Sequence, residues 1–134
     1  MLGWVDDIEK LTKDNTNFRT EVWTGQYSQL TVMTIEVGGE IGNEVHPEID
    51  QFLRLEAGKA KVQFGKTKDQ VDEEHEVEDD WAIIIPAGTW HNVVNTGDKP
   101  LKLYSIYSPP NHPKGTVHVT KAEADAAEAV EHGN

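Results

Sequence analysis

The sequence contains no cysteine. Without thiols there can be no disulfide framework and no thiolate metal site, so packing has to supply stability and any metal has to rely on nitrogen and oxygen donors. Positive charge is also scarce. Lys and Arg number 12 against 24 Asp and Glu, for a formal net charge of -12. A chain this acidic repels phosphate backbones and anionic headgroups, which argues against a nucleic-acid or membrane partner. Long apolar runs are missing too: no stretch approaches the roughly 20 residues that span a bilayer. The opening Met1-Leu2-Gly3-Trp4-Val5-Asp6-Asp7 has neither the basic nor the apolar region of a secretory signal, so a cytoplasmic location is expected. No internal repeat is present, and 134 residues suit one domain, since a second core would be starved of apolar side chains.

What the sequence does have is a succession of short, β-rich runs. Gln29 to Val37 alternates imperfectly, is rich in β-branched residues and is stopped by Gly38-Gly39. Further runs follow at Phe52 to Leu55, Ala60 to Phe64, Trp81 to Ile85, Trp90 to Val94 and Leu101 to Tyr107, each bounded by Gly, Pro, Asn or Asp. Gly58 can take φ > 0 without steric cost and so join two of these strands in a hairpin. Ser108-Pro109-Pro110 ends the last run, because prolines cannot continue a ladder. The stretch from Lys66 to Asp80 reads as a solvated hairpin and turn whose acidic run faces water. Val5, Ile8 and Leu11 are spaced for one face of a short helix. From Thr120 onward the alanine-rich tail has high helix propensity, and Thr120 with Glu123 forms a capping-box pattern. With few large apolar side chains, this helix is expected to be frayed or docked on a partner rather than part of a core.

Two of the six histidines sit in a recognisable context. Around His46 the order is Gly38, five residues, Glu44-Val45-His46, four residues, Gln51, six residues and Gly58; around His91 it is Pro86-Ala87-Gly88, two residues, His91, three residues and Asn95. These stretches resemble the two signature motifs of the cupin superfamily. Three positions depart from the pattern: Glu44 stands where the first His is usual, Gln51 where a Glu is, and Asp80 where the second motif's leading Gly is. The run Asp50-Gln51-Phe52-Leu53-Arg54, together with Pro86 to Asn92 and the Tyr107-Ser108-Pro109-Pro110 ending, is similar to small bacterial single-domain cupins described as mannose-6-phosphate isomerase-like. That likeness is of barrel and metal site and does not establish sugar isomerisation.

The resemblance implies an all-β fold, a single-domain double-stranded β-helix or jelly-roll barrel with short terminal helices. It divides the chain into an N-terminal extension over 1–28 that packs on the barrel, the barrel over 29–110, and a partly helical tail over 111–134. It also implies one divalent metal held by Glu44, His46, Gln51 and His91. Independently of the family, residues two apart on a strand share a face, so Glu44 and His46 can both look into a barrel and be joined by ligands from other strands. Two imidazoles, a carboxylate and an amide oxygen suit Zn, Mn, Fe(II), Ni or Co. Gln51 is the weakest of the four, and hydrogen bonding a water or substrate is its alternative role.

The remaining polar and aromatic residues have plainer readings. Glu48 and Asp50 read as surface carboxylates. His112 and His118 are surface residues by default, unless the tail folds over the barrel mouth or onto a second subunit. Of Trp81 and Trp90, one is expected in the core and one in a pocket wall, while Phe52, Tyr104 and Tyr107 line core or pocket. The expected ligand is a small oxygenated molecule such as a sugar or sugar phosphate, with dioxygenase chemistry or non-catalytic sensing as alternatives. No base is placed beside the metal by sequence. Open sheet edges lead to the expectation of a homodimer.

Overall fold

The computed structural model describes residues 2–132. Its strands are β1 (Arg19–Thr24), β2 (Gln29–Ile35), β3 (Asp50–Ala57), β4 (Lys59–Gly65), β5 (Glu73–Glu78), β6 (Ala82–Ile85), β7 (Trp90–Asn95), β8 (Leu101–Ser108) and β9 (Val117–His118). Two helices, α1 (Ile8–Asp14) and α2 (Lys121–His132), flank them. The strands form two antiparallel sheets, one ordered β6-β3-β8-β2-β1-β9 and the other β5-β4-β7. Each run singled out by alternation forms a strand. The acidic segment reads correctly as exposed, but Glu73–Glu78 pairs along β4, with Val77 its buried residue.

Register decides what fills the space between the sheets. In β2, β8 and β3 the inward residues line up as Ile35 with Leu101, Met33 with Leu103 and Leu55, Thr31 with Ser105, and Gln29 with Tyr107 and Gln51. One end of the interior is therefore aliphatic and the other polar. The inward aliphatic side chains, with Leu53 and Ile85 beside the polar rows and Val62 and Val93 on the second sheet, are buried at 0–2 % exposure. Each such side chain contributes on the order of 1.5–3 kcal/mol. The outward residues Leu30, Val32 and Tyr104 form a second cluster under Trp4, Ile8 and Leu11. Val5 is exposed and precedes the helix, which begins at Ile8 with the Asp7 carboxylate capping the amide of Lys10.

The tail corrects two expectations. Thr120 and Glu123 do form the reciprocal cap, but Ala124 is buried in the main core, so α2 docks on this barrel. His112 and His118 are 6 % and 7 % exposed. Gln29 explains the first: its amide nitrogen donates to the His112 carbonyl, and its oxygen accepts from the amides of Asn111 and His112. His118 is carried inward by β9, which pairs with Arg19 on β1. Trp81 is half exposed rather than core.

The motif residues have local jobs. Asn95 donates to the carbonyls of Ile35, Glu36 and Lys99 and accepts from Gly97, closing the turn beneath β7. Asp80 takes φ 74 where the family has Gly, a conformation Asp tolerates, and it pairs with Arg54 at 2.9 Å. Gly58 has φ +99, and a Cβ there would lie 3.2 Å from the Leu101 Cα. Gly58→Ala is therefore expected to destabilise by about 1–3 kcal/mol, read from the urea midpoint.

Burial, with Arg19 nearby, pulls the His112 pKa down to about 3 from 6.5. The unfolded chain then binds the extra proton between those values. The His112 contribution is present in full above pH 6.5 and is lost as pH falls toward 3. Urea titrations across that window should show a slope of up to about 1.4 kcal/mol per pH unit from this residue, flattened in His112→Gln.

Candidate metal centre

Glu44, His46 and His91 converge at the polar end of the barrel. The loop carrying Glu44 and His46 is stitched to the start of β7: Glu44 and His91 exchange both backbone hydrogen bonds at 2.9 Å, and the Gly88 amide donates to the His46 carbonyl. The Asn92 side chain accepts from the Gly42 amide and holds the same loop from the other side. Gly88, at φ +81, provides the turn that lets this happen.

The Glu44 Oε1 lies 3.4 Å from His46 Nε2 and 3.3 Å from His91 Nε2. Ligand atoms on one ion with bonds of ~2.1 Å are separated by roughly 3–3.5 Å, so the spacing suits a shared cation. The His91 Nδ1 lies 2.9 Å from the Thr89 carbonyl, which fixes the ring as donor on that side and turns the Nε2 lone pair inward. Both Nε2 atoms are buried without a hydrogen-bond partner. Buried polar atoms normally have partners, and two imidazole nitrogens facing one carboxylate oxygen are a donor set that a divalent ion satisfies. Burial raises the Glu44 carboxyl, but the His46 and His91 imidazoles facing it outweigh that and hold the group well below the usual carboxylate range.

Gln51 is 2 % exposed on the inward face of β3. Its amide nitrogen donates to the Ser105 hydroxyl at 2.8 Å, and its Oε1 is buried without a partner. Glu48 and Asp50 are surface carboxylates, as expected: Glu48 is exposed on the rim, and the exposed Asp50 accepts from the Ala87 amide to brace the second motif. Above the triad opens a cavity of about 1170 Å³, walled by Trp90 and Asn111 and rimmed by Lys68, Lys121, Asp125 and Glu128. Trp90 is thus the pocket wall.

Sequence reading missed a second buried cluster behind the triad. Tyr107 lies edge-on to His46 at 5.9 Å and to His112 at 5.1 Å. Its hydroxyl is 3.3 Å from His112 Nε2, and Arg19 reaches His118 Nδ1 at 3.2 Å. The available signal was the Gln29-to-Ile35 alternation, which turns polar at its first two inward positions.

Among the described residues no helix is long and apolar enough to cross a membrane. Residues 31–107 match the family model described as a Cupin domain. The chain is 58% identical over 125 residues to YrkC of Bacillus subtilis, covering 93% of this chain and 67% of that protein. It is 36% identical over 122 residues to protein L612 of Acanthamoeba polyphaga mimivirus, covering 90% and 74%. The crystal structure of BH2720 from Bacillus halodurans superposes with a TM-score of 0.91 at 58% identity, covering 92% and 93%. The two-sheet barrel is a double-stranded β-helix, and the chain belongs to the cupin superfamily.

Proposed function

We propose that this cupin binds one divalent metal through Glu44, His46 and His91, with Gln51 Oε1 as a fourth, weaker ligand, and receives a small oxygenated molecule at the remaining positions. The observation that carries this reading is the pair of buried, unpartnered imidazole nitrogens within 3.3–3.4 Å of one carboxylate oxygen. A bound ion supplies Lewis acidity to a ligand oxygen. The chain supplies the rest. Thr89 orients His91, Ser105 orients Gln51, and Asn92 and Gly88 keep the ligand loop against β7. Trp90 and Asn111 wall the approach from the mouth.

The unpartnered Oε1 of Gln51 supports direct ligation, since the Ser105 bond leaves the carbonyl side of the amide free. An amide oxygen binds a divalent ion more weakly than a carboxylate does. Truncating Gln51 should therefore cost less than truncating either imidazole.

Elemental analysis of purified protein is expected to give one equivalent of Mn, Fe, Co, Ni or Zn. His46→Ala and His91→Ala should lose it, Gln51→Ala should bind about tenfold more weakly, and Gln51→Glu should bind more tightly. Protein that contains no metal and takes up none of these ions at a one-to-one ratio rules the reading out. The proposal includes a homodimer, favoured by the open β5 and β6 edges and the exposed Trp81 and Ile84 beside them. Light scattering should return twice 15.0 kDa.

A further inference from the structure

Inside the barrel the Arg19 guanidinium stands without a carboxylate partner among the described residues. It is 5 % exposed. Its polar contacts are His118 Nδ1 at 3.2 Å and the Tyr107 hydroxyl, its Nε is unpartnered, and its cation lies 5.3 Å from the centre of the Phe18 ring. Rings and hydroxyls soften the burial of a cation but do not neutralise it, so a nearby negative charge is worth a great deal.

Glu44 is a source of that charge in the same interior. A chain of buried rings joins the two charges: Arg19 reaches His118 at 3.2 Å, His118 and His112 lie 6.3 Å apart, Tyr107 touches His112 and stands edge-on to His46 at 5.9 Å, and His46 Nε2 is 3.4 Å from Glu44 Oε1. Their sum is about zero, and His112, held neutral, adds nothing. A divalent ion on the triad raises the sum to about +2 in a region of low dielectric. That excess favours an anion over a neutral molecule of the same shape.

We propose that the metal-loaded site selects a small carboxylate-bearing ligand, and that Arg19 is the second positive charge that sets this preference. The proposal rests on the metal reading above. The rim argues for a singly charged acid rather than a phosphate ester. Glu48, Asp125 and Glu128 face the cavity against Lys68 and Lys121, and Lys121 is already paired with Asp125 at 2.8 Å. A dianion entering past this rim meets more repulsion than a carboxylate does.

The test uses full-length protein loaded with cobalt, whose visible absorption reports on the ligands of the ion. Glycolate is titrated against ethylene glycol, its uncharged counterpart. Wild type is expected to prefer glycolate. Arg19→Gln should weaken glycolate by roughly tenfold, leave ethylene glycol unchanged, and hold cobalt as tightly as wild type or more so, because a repelling charge has gone. Arg19→Lys should keep the preference for glycolate.

Opposite movements of metal and anion affinity are a signature that a merely structural role for Arg19 does not give. Parallel loss of both in Arg19→Gln, or equal glycolate affinity in the variant and wild type, overturns the proposal while leaving the metal reading intact. Wild-type protein that binds ethylene glycol as tightly as glycolate overturns it whether or not the variants fold. Wild-type protein that takes up no cobalt defeats the metal reading and this proposal together.

Discussion

The pairing register of β2, β8 and β3 is the constraint on which the rest depends. Because side chains alternate across a strand, one register sends Gln29, Thr31, Gln51, Ser105 and Tyr107 to one end of the interior and Met33, Ile35, Leu55, Leu101 and Leu103 to the other. A slip of one residue would turn Leu30, Val32, Phe52 and Tyr104 inward and expose the aliphatic set. The outer cluster under α1 resists that slip, since Leu30, Val32 and Tyr104 already pack with Phe52, Trp4, Ile8 and Leu11. Both faces of the large sheet thus specify the same pairing, and the polar end where the histidines meet follows from it.

Much of this was legible in the sequence because its period is local. The strands declare themselves by alternation and by the Gly, Pro, Asn and Asp that bound them. Glu44, His46 and His91 declare themselves by spacing, since two positions along an extended chain return to one face. Asn95 and Gly58 were legible as motif residues, and their work is the kind only those side chains do: four hydrogen bonds around one turn, and a positive φ against Leu101. The unusual Asp80 fits because Asp is among the few residues that accept φ near 74.

What was not legible depends on partners far apart in the chain. β1 carries Arg19, Glu21 and Trp23 without a clean apolar alternation, and β9 has two residues, so neither announces itself. Arg19 and His118 are 99 residues apart and meet only because those two strands pair. His112 is drawn inward by backbone bonds to the Gln29 side chain, a contact invisible to periodicity. Ala124 is buried because α2 brings it into the main core, whereas small side chains alone suggested a helix frayed or docked on a partner.

The distribution of unsatisfied polar atoms ties stability to occupancy. Arg19 Nε, Thr31 Oγ1, His46 Nε2, Gln51 Oε1, His91 Nε2 and His112 Nδ1 are all buried without partners, and all lie in the polar half; Glu56 Oε1, the remaining case among the described residues, has Arg54 at 3.1 Å. A buried group of this kind costs about 1–3 kcal/mol if nothing satisfies it. Several together rival the 5–15 kcal/mol typical of a whole domain's stability, so the aliphatic half has to carry the fold. A metal or anion that satisfies these atoms binds the folded chain and not the unfolded one, and at a hundred times its dissociation constant it adds about 2.7 kcal/mol. The register that concentrates polar groups at one end therefore makes the barrel's stability responsive to what it holds, whereas the same groups scattered through the core would weaken the fold without offering a ligand any point of attachment.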